Sequence, residues 1–201
     1  LKLRQQQKRE PGISLPEHNL LQQQFLTALP FALTQAQQRV TNEISADLQK
    51  SEPMLRLVQG DVGSGKTVVA ALACLQAVAN GNQAAMMAPT EILAAQHFAQ
   101  FQQWFAPLGF HCVWLSGSTK IKARREALAQ MADGSAHIAI GTHALFQDDV
   151  QFHNLALVIT DEQHRFGVRQ RLALQQKGEI SALPHQLVMT ATPIPRTLAM
   201  S

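Results

Sequence analysis

The stretch Gly60-Asp61-Val62-Gly63-Ser64-Gly65-Lys66-Thr67 sets a glycine, four further residues, and then Gly-Lys-Thr in succession. That spacing suits a loop that cradles phosphate. Glycines let the backbone curl until successive N–H groups point inward at phosphate oxygens. A helix opening directly after the loop adds the positive end of its dipole. Lys66 is placed to reach the β- and γ-phosphates of a nucleotide, and the Thr67 hydroxyl to ligate Mg2+. A second constellation lies further on, where the apolar run Leu157-Val158-Ile159-Thr160 ends in Asp161-Glu162-Gln163-His164. A carboxylate at the end of a buried strand, facing a phosphate loop, can hold Mg2+ directly or through water. The neighbouring Glu162 can polarise an attacking water as general base. Adjacent acids of this kind favour nucleotide hydrolysis over transfer of the phosphoryl group to a small molecule. An NTP-binding enzyme acting on a metabolite and a nucleotide-responsive binding module without turnover stand beside that reading as alternatives.

Such a site requires strands and helices in strict alternation. Short apolar runs predict strands over residues 55–59, 84–88, 112–115, 137–140, 155–160 and 186–189. Helical patterns separate them over 66–79, 91–105 and 121–132, and a further helix is expected after Arg169. Strands of about five residues spaced by helices of about 10–15 imply βαβ units and a mainly parallel sheet, with helices on both faces. Near-continuous apolar strands such as Leu155-Ala156-Leu157-Val158-Ile159 fit a sheet covered on both sides. Upstream, Thr34 can cap a helix running to about Lys50, with Val40, Ile44 and Leu48 on one face. Residues 1–30 read as a connector, broken by Pro11, Gly12 and Pro16, with a short apolar-periodic piece around Leu20, Leu21, Phe25 and Leu26 before Pro30. The lobe itself then occupies residues 31–201.

Composition sets the outer limits. The chain has 201 residues, of which 46% are hydrophobic and 15% charged, so it can bury a core and is not disordered throughout. With 11 Gly and 2 Cys, collagen-like and disulfide-scaffold classes are excluded. Lys plus Arg number 17 against 14 Asp plus Glu, a net charge of +3 that permits contact with a polyanion without requiring it. Cys74 and Cys112 sit in apolar runs and read as buried, reduced thiols of a cytosolic protein. No apolar stretch approaches the roughly 18 residues of a membrane span. The start at Leu1 and the stop after a motif-rich stretch suggest a piece of something longer.

The motifs together resemble those of superfamily 2 helicases and translocases, over about residues 31–201. Asp161-Glu162-Gln163-His164 is similar to the second motif of that superfamily, and the others occur in its order. Ala88-Pro89-Thr90-Glu91-Ile92-Leu93-Ala94 looks like motif Ia, and Gly141-Thr142-His143-Ala144-Leu145 like a later DNA-contact motif. Thr190-Ala191-Thr192-Pro193 resembles motif III, which couples hydrolysis to lobe movement. Phe31 with Leu33-Thr34-Gln35-Ala36-Gln37 resembles the adenine-recognising segment, in which Gln37 reads the base. Gly60 through Thr67 and Asp161 through Val168 closely resemble the RecG type of bacterial DNA helicase, and Thr190 through Leu198 fits both that type and the transcription-repair coupling translocase. Ser64 and Gln163 favour the RecG type over its relative, the transcription-repair coupling translocase, whose matching lobe stands as an alternative. Gln35 and Thr160 depart from the family pattern, at positions outside the proposed chemistry.

The resemblance implies a RecA-like, ATP-binding first motor lobe that uses ATP and Mg2+. It implies cytoplasmic location in a bacterium. It also implies a whole enzyme that migrates branched duplex DNA, such as Holliday junctions and stalled forks, in repair and recombination. A DNA-binding wedge domain upstream and a second RecA-like lobe would complete that enzyme, with an arginine finger on the second lobe, so the isolated lobe is expected to hydrolyse ATP negligibly. By the same resemblance Thr90, Thr142 and His143 are DNA-contact candidates, His164 relays to motif III, and Thr190, Ala191 and Thr192 serve coupling. Lys120, Lys122, Arg124 and Arg125 form a basic cluster at a helix start, better read as a solvated face than as a DNA contact. Arg165, Arg169 and Arg171 fit either a nucleic-acid or inter-lobe surface or ordinary surface charge. Trp104, Trp114 and the apolar positions of residues 91–105 are expected in the core.

Overall fold

A computed structural model describes residues 11–61, 63–161 and 182–191. Among them six strands form one wholly parallel sheet: β1 (Leu55–Gln59), β2 (Gln83–Met87), β3 (Cys112–Leu115), β4 (Ile138–Gly141), β5 (Leu155–Asp161) and β6 (His185–Thr190), in spatial order β1-β6-β5-β2-β4-β3. The helices are α1 (Asn19–Ala28), α2 (Gln35–Leu48), α3 (Lys66–Ala79), α4 (Glu91–Phe105) and α5 (Ile121–Asp133). Alternate residues of each strand point to opposite faces. Ala84, Met86, Ile138, Ile140, Leu157 and Ile159 therefore join the core beneath α1–α4. Ala85, Met87, Val113, Leu115, Ala139 and Val158 pack on the other face, against Ala127 and Met131 of α5 and the turn Ala144-Leu145-Phe146.

Helix α3 is buried from Val68 to Val78 and built largely of Ala and Val, as befits a helix covered all round. Helix α2 starts in a capping box: the Thr34 hydroxyl accepts the Gln37 N–H while Gln37 Oε1 accepts the Thr34 N–H. Strand ends differ from expectation by about one residue, and Gln83 shows why. This polar residue opens β2 fully buried because its amide is satisfied: Nε2 donates to the Met131 and Ala136 carbonyls and Oε1 accepts from Asn154 N–H. An apolar-run criterion begins the strand one residue late. The helix expected after Arg169 lies outside the described residues.

The stretch read as a connector is, from residue 11, stitched into the lobe. Leu15, Phe25 and Leu29 belong to the main core, and Phe25 meets the Trp104 and Phe105 rings at centroid distances of 5.8 and 5.6 Å. Backbone bonds join Gly12 to Ser51 and Leu15 to Leu48. Between the prolines the short apolar-periodic piece around Leu20, Leu21, Phe25 and Leu26 forms a ten-residue helix, α1, that buries Phe25. Trp104 is buried as expected. Trp114 is only half-buried and packs edge-on against Phe98 at 5.8 Å. Ile92, expected in the core, is 74% exposed at the start of α4. Cys74 and Cys112 are buried and unbridged, and burial pushes both thiols up, Cys112 to about 12, which disfavours the reactive thiolate. No helix among the described residues is long and apolar enough to cross a membrane.

His185 closes the join between the N-terminal stretch and the sheet. Its Nδ1 accepts the Met54 N–H at 2.9 Å and its Nε2 faces the Ile13 carbonyl at 2.6 Å, an arrangement that fixes the neutral ring with its proton on Nε2. Burial lowers its pKa below the ordinary 6.5, and burial does the same to His137. A depressed folded pKa means that the unfolded chain binds protons first, so this stability is present above pH 6.5 and is lost as pH falls through the folded values. The urea midpoint is therefore expected to drop between pH 7.5 and 5. His185→Gln should flatten that slope, and an unchanged slope would count against the assignment.

Candidate nucleotide site

All strands being parallel, their C-terminal ends lie along one edge, and the candidate residues gather there. The phosphate-type loop follows β1, Asp161 ends β5, and Thr190 ends β6 between them. Pairing sets Gln59 beside Thr190 and Met189 beside Asp161. The loop hangs on this central strand, because Gly60 N–H donates to the Thr190 carbonyl at 3.2 Å. Thr190 and Ala191, expected to serve coupling, thus stand between the loop and the acid.

Within the loop Ser64 N–H donates to the Asp61 carbonyl, and Gly63 and Gly65 take left-handed backbone with φ of 82° and 78°. Gly65 is the N-cap of α3 and supplies no side-chain cap, which leaves the first-turn amides to an external acceptor. Lys66 Nζ curls back across its own loop to the Gly60 and Asp61 carbonyls at 2.6 and 2.8 Å. Gln37 is engaged at both ends of its amide: Oε1 closes the capping box, and Nε2 donates to the Ser64 carbonyl at 3.0 Å. The expected base-reading residue is therefore bonded to the phosphate loop itself. Phe31, 45% exposed, lines the same cleft.

Phe31, Gln37, Gly65, Lys66, Thr67 and Asp161 line an open cleft of about 550 Å³, within the common range for a small-molecule site. The fit to a nucleotide with Mg2+ is good on this chain's own features: curled glycines, an uncapped helix start, a lysine in the loop, and a hydroxyl and a carboxylate across the cleft. No group of three or more His, Cys, Asp or Glu among the described residues forms a metal cage. Mg2+ bound through one or two protein ligands and phosphate needs none.

One participant was not anticipated. His97, on α4, places Nε2 2.7 Å from Asp161 Oδ2, with side chains only 10% and 15% exposed. Its signal was a polar residue on the buried stripe formed with Ala94, Phe101, Trp104 and Phe105. Nothing local marked the acid as its partner.

The DNA-contact candidates lie along the same edge. Thr90 is exposed and its hydroxyl caps α4, accepting Leu93 N–H at 3.3 Å. His143 is exposed. Thr142 is 3% exposed with its hydroxyl enclosed and unpartnered, so its side chain does not face solvent. Glu91 accepts from the Ser118 hydroxyl and N–H, which hold its carboxyl below the usual range and tie the loop after β3 to the start of α4. In the basic cluster Lys120 and Lys122 are exposed, whereas Arg124 binds Asp149 at 2.8 Å and Gln147 at 2.7 Å. Val62, Glu162, Gln163, His164, Arg165, Arg169, Arg171 and Thr192 lie outside the described residues.

A family model for DEAD/DEAH box helicases matches residues 34–201. The chain is 60% identical over 182 residues to the ATP-dependent DNA helicase RecG of Haemophilus influenzae, covering 90% of this chain and 26% of that protein. It is 58% identical to RecG of Escherichia coli K12 over 93% of this chain and 27% of that protein. The chain thus spans about a quarter of the length of the curated relatives it matches. Among solved structures, RecG bound to a three-way DNA junction superposes with a TM-score of 0.87 at 42% identity, over 99% of this chain and 26% of that one. The yeast DEAD-box splicing factor Prp28 shares the fold, with a TM-score of 0.69 at 16% identity over 92% of this chain and 46% of that one.

Proposed function

The chain belongs to the DEAD/DEAH box helicase family as a RecG-like motor domain, and from that premise we propose that it is the first RecA-like lobe of an enzyme that couples ATP hydrolysis to branch migration and fork reversal. The observation that carries this reading is the placement of Lys66 and Asp161 on one cleft, with the strand ending at Thr190 between the two elements that bear them. Lys66 and the loop amides bind the β- and γ-phosphates. Thr67 and Asp161 would hold Mg2+, which when bound would supply positive charge against the phosphates. Phe31 and Gln37 take the adenine. Glu162 accepts the proton of the attacking water, Gln163 and His164 complete the acidic motif, and Thr190, Ala191 and Thr192 carry the change toward the DNA edge. Val62 completes the phosphate loop. Thr90 and His143 contact the DNA backbone there, whereas the enclosed Thr142 hydroxyl does not reach it.

The remaining three-quarters of the relatives' length leaves room for a DNA-binding wedge and a second RecA-like lobe. Branched duplex DNA, Holliday junctions and stalled forks among it, is the substrate of the whole protein. Charge stabilisation from a second lobe's arginine finger contributes roughly 10³–10⁵ in rate in P-loop NTPases. The 201 residues alone are therefore expected to bind Mg-ATP weakly and hydrolyse it negligibly, whereas the complete protein should resolve a labelled three-way junction only when ATP is hydrolysed. Robust DNA-stimulated turnover by the isolated chain, or junction processing without ATP, would contradict this division of labour.

A further inference from the structure

We propose that His97 is the positioning residue for Asp161, and that α4 thereby links the DNA edge to the Mg2+ carboxylate; this rests on the functional reading above. A carboxylate on a strand end rotates over a broad, two-fold torsion, so either oxygen can face the cleft. The contact from His97 Nε2 to Oδ2 at 2.7 Å engages one of them and would leave Oδ1 free to hold the ion. For an ionised acid, Nε2 must carry the proton and donate it. Partners of this kind orient a metal-binding carboxylate without touching the metal. Both side chains are largely withdrawn from water, 10% and 15% exposed, so the bond has little competition from solvent.

His97 also has a mechanical context. It lies on α4 two turns, roughly 10 Å along the axis, beyond the N-cap Thr90. Glu91 in the first turn is bonded to Ser118 in the loop after β3. Ala94, Phe101, Trp104 and Phe105 bury the same helix in the core. Helix α4 is consequently a packed rod, with the exposed strand-end edge at its start and the acid at its middle. A shift at Thr90 moves His97 with it.

The test uses the complete protein and a fluorescent ATP analogue, with dissociation constants measured with and without Mg2+. His97→Leu is expected to leave the Mg2+-free affinity within about 3-fold of wild type and to reduce the Mg2+-dependent gain about 10-fold or more. The DNA-stimulated kcat should fall by a similar factor. His97→Gln, whose Nε2 can donate from nearly the same place, should restore most of both. Equal thermal midpoints for the Leu and Gln variants separate positioning from folding. A His97→Leu protein that keeps the full Mg2+ gain overturns the proposal, as does a Gln variant no better than Leu. A wild-type protein that binds no nucleotide under either condition overturns the functional reading, and this proposal falls with it.

Discussion

Lys66→Ala is expected to reduce DNA-stimulated ATP hydrolysis by about 10²–10³-fold, the loss that follows removal of one preorganised donor from a developing oxyanion. The effect should lie toward the upper end because the lost donor is an ammonium, and charged hydrogen bonds are roughly twice as strong as neutral ones. The fold should survive. Lys66 is the first residue of α3, where a positive charge opposes the helix dipole and alanine is a better helix former. The bonds it gives up go to two loop carbonyls beside the open cleft, and water can replace them. Junction binding should persist, since the proposed wedge lies outside this lobe. Steady-state ATPase, a melting curve and a junction gel shift on the same preparation check all three. A variant that hydrolyses ATP at more than about a tenth of the wild-type rate would remove Lys66 from the site.

The same loop marks how much could be read in advance. Its helix, Lys66–Ala79, and the helix Glu91–Phe105 have the boundaries that glycine, capping and apolar period predict. All six strands stand within about a residue of where apolar runs place them; β2–β6 are buried on both faces and leave a signal needing no partner, whereas β1 is a largely exposed edge strand. What escaped depends on contacts between distant positions. His97 meets an acid 64 residues away, and Gln83 is buried because carbonyls from α5 and the following turn satisfy it. Leu15 and Phe25 sit in the core although prolines surround them. Thr142, chosen for its hydroxyl, turns that hydroxyl inward. Motif order alone does not say which face of a strand end a side chain takes.

Gly65 and Gly63 share positive φ, yet alanine at the two positions should behave very differently. In left-handed backbone a Cβ costs about 1–2 kcal/mol at either site. At Gly63 a Cβ would meet nothing within 4 Å, so that cost stands alone. At Gly65 it would lie 2.1 Å from Gln37 Nε2. The amide cannot simply swing aside, because its oxygen is held by the Thr34 N–H in the capping box. Relief requires giving up the bond to the Ser64 carbonyl and loosening the start of α2, about 1 kcal/mol for each. The combined penalty of roughly 3 kcal/mol corresponds to about a 10²-fold loss of nucleotide affinity, against about 10-fold for Gly63→Ala. A double substitution identifies the cause. Gln37→Ala removes the obstructing amide, so adding it to Gly65→Ala should weaken binding little further, and the cycle should show coupling of about 1 kcal/mol or more. Strictly additive losses in nucleotide titrations would mean that Gly65 matters only for its backbone, and that the Gln37 bridge between base recognition and the phosphate loop has no energetic weight.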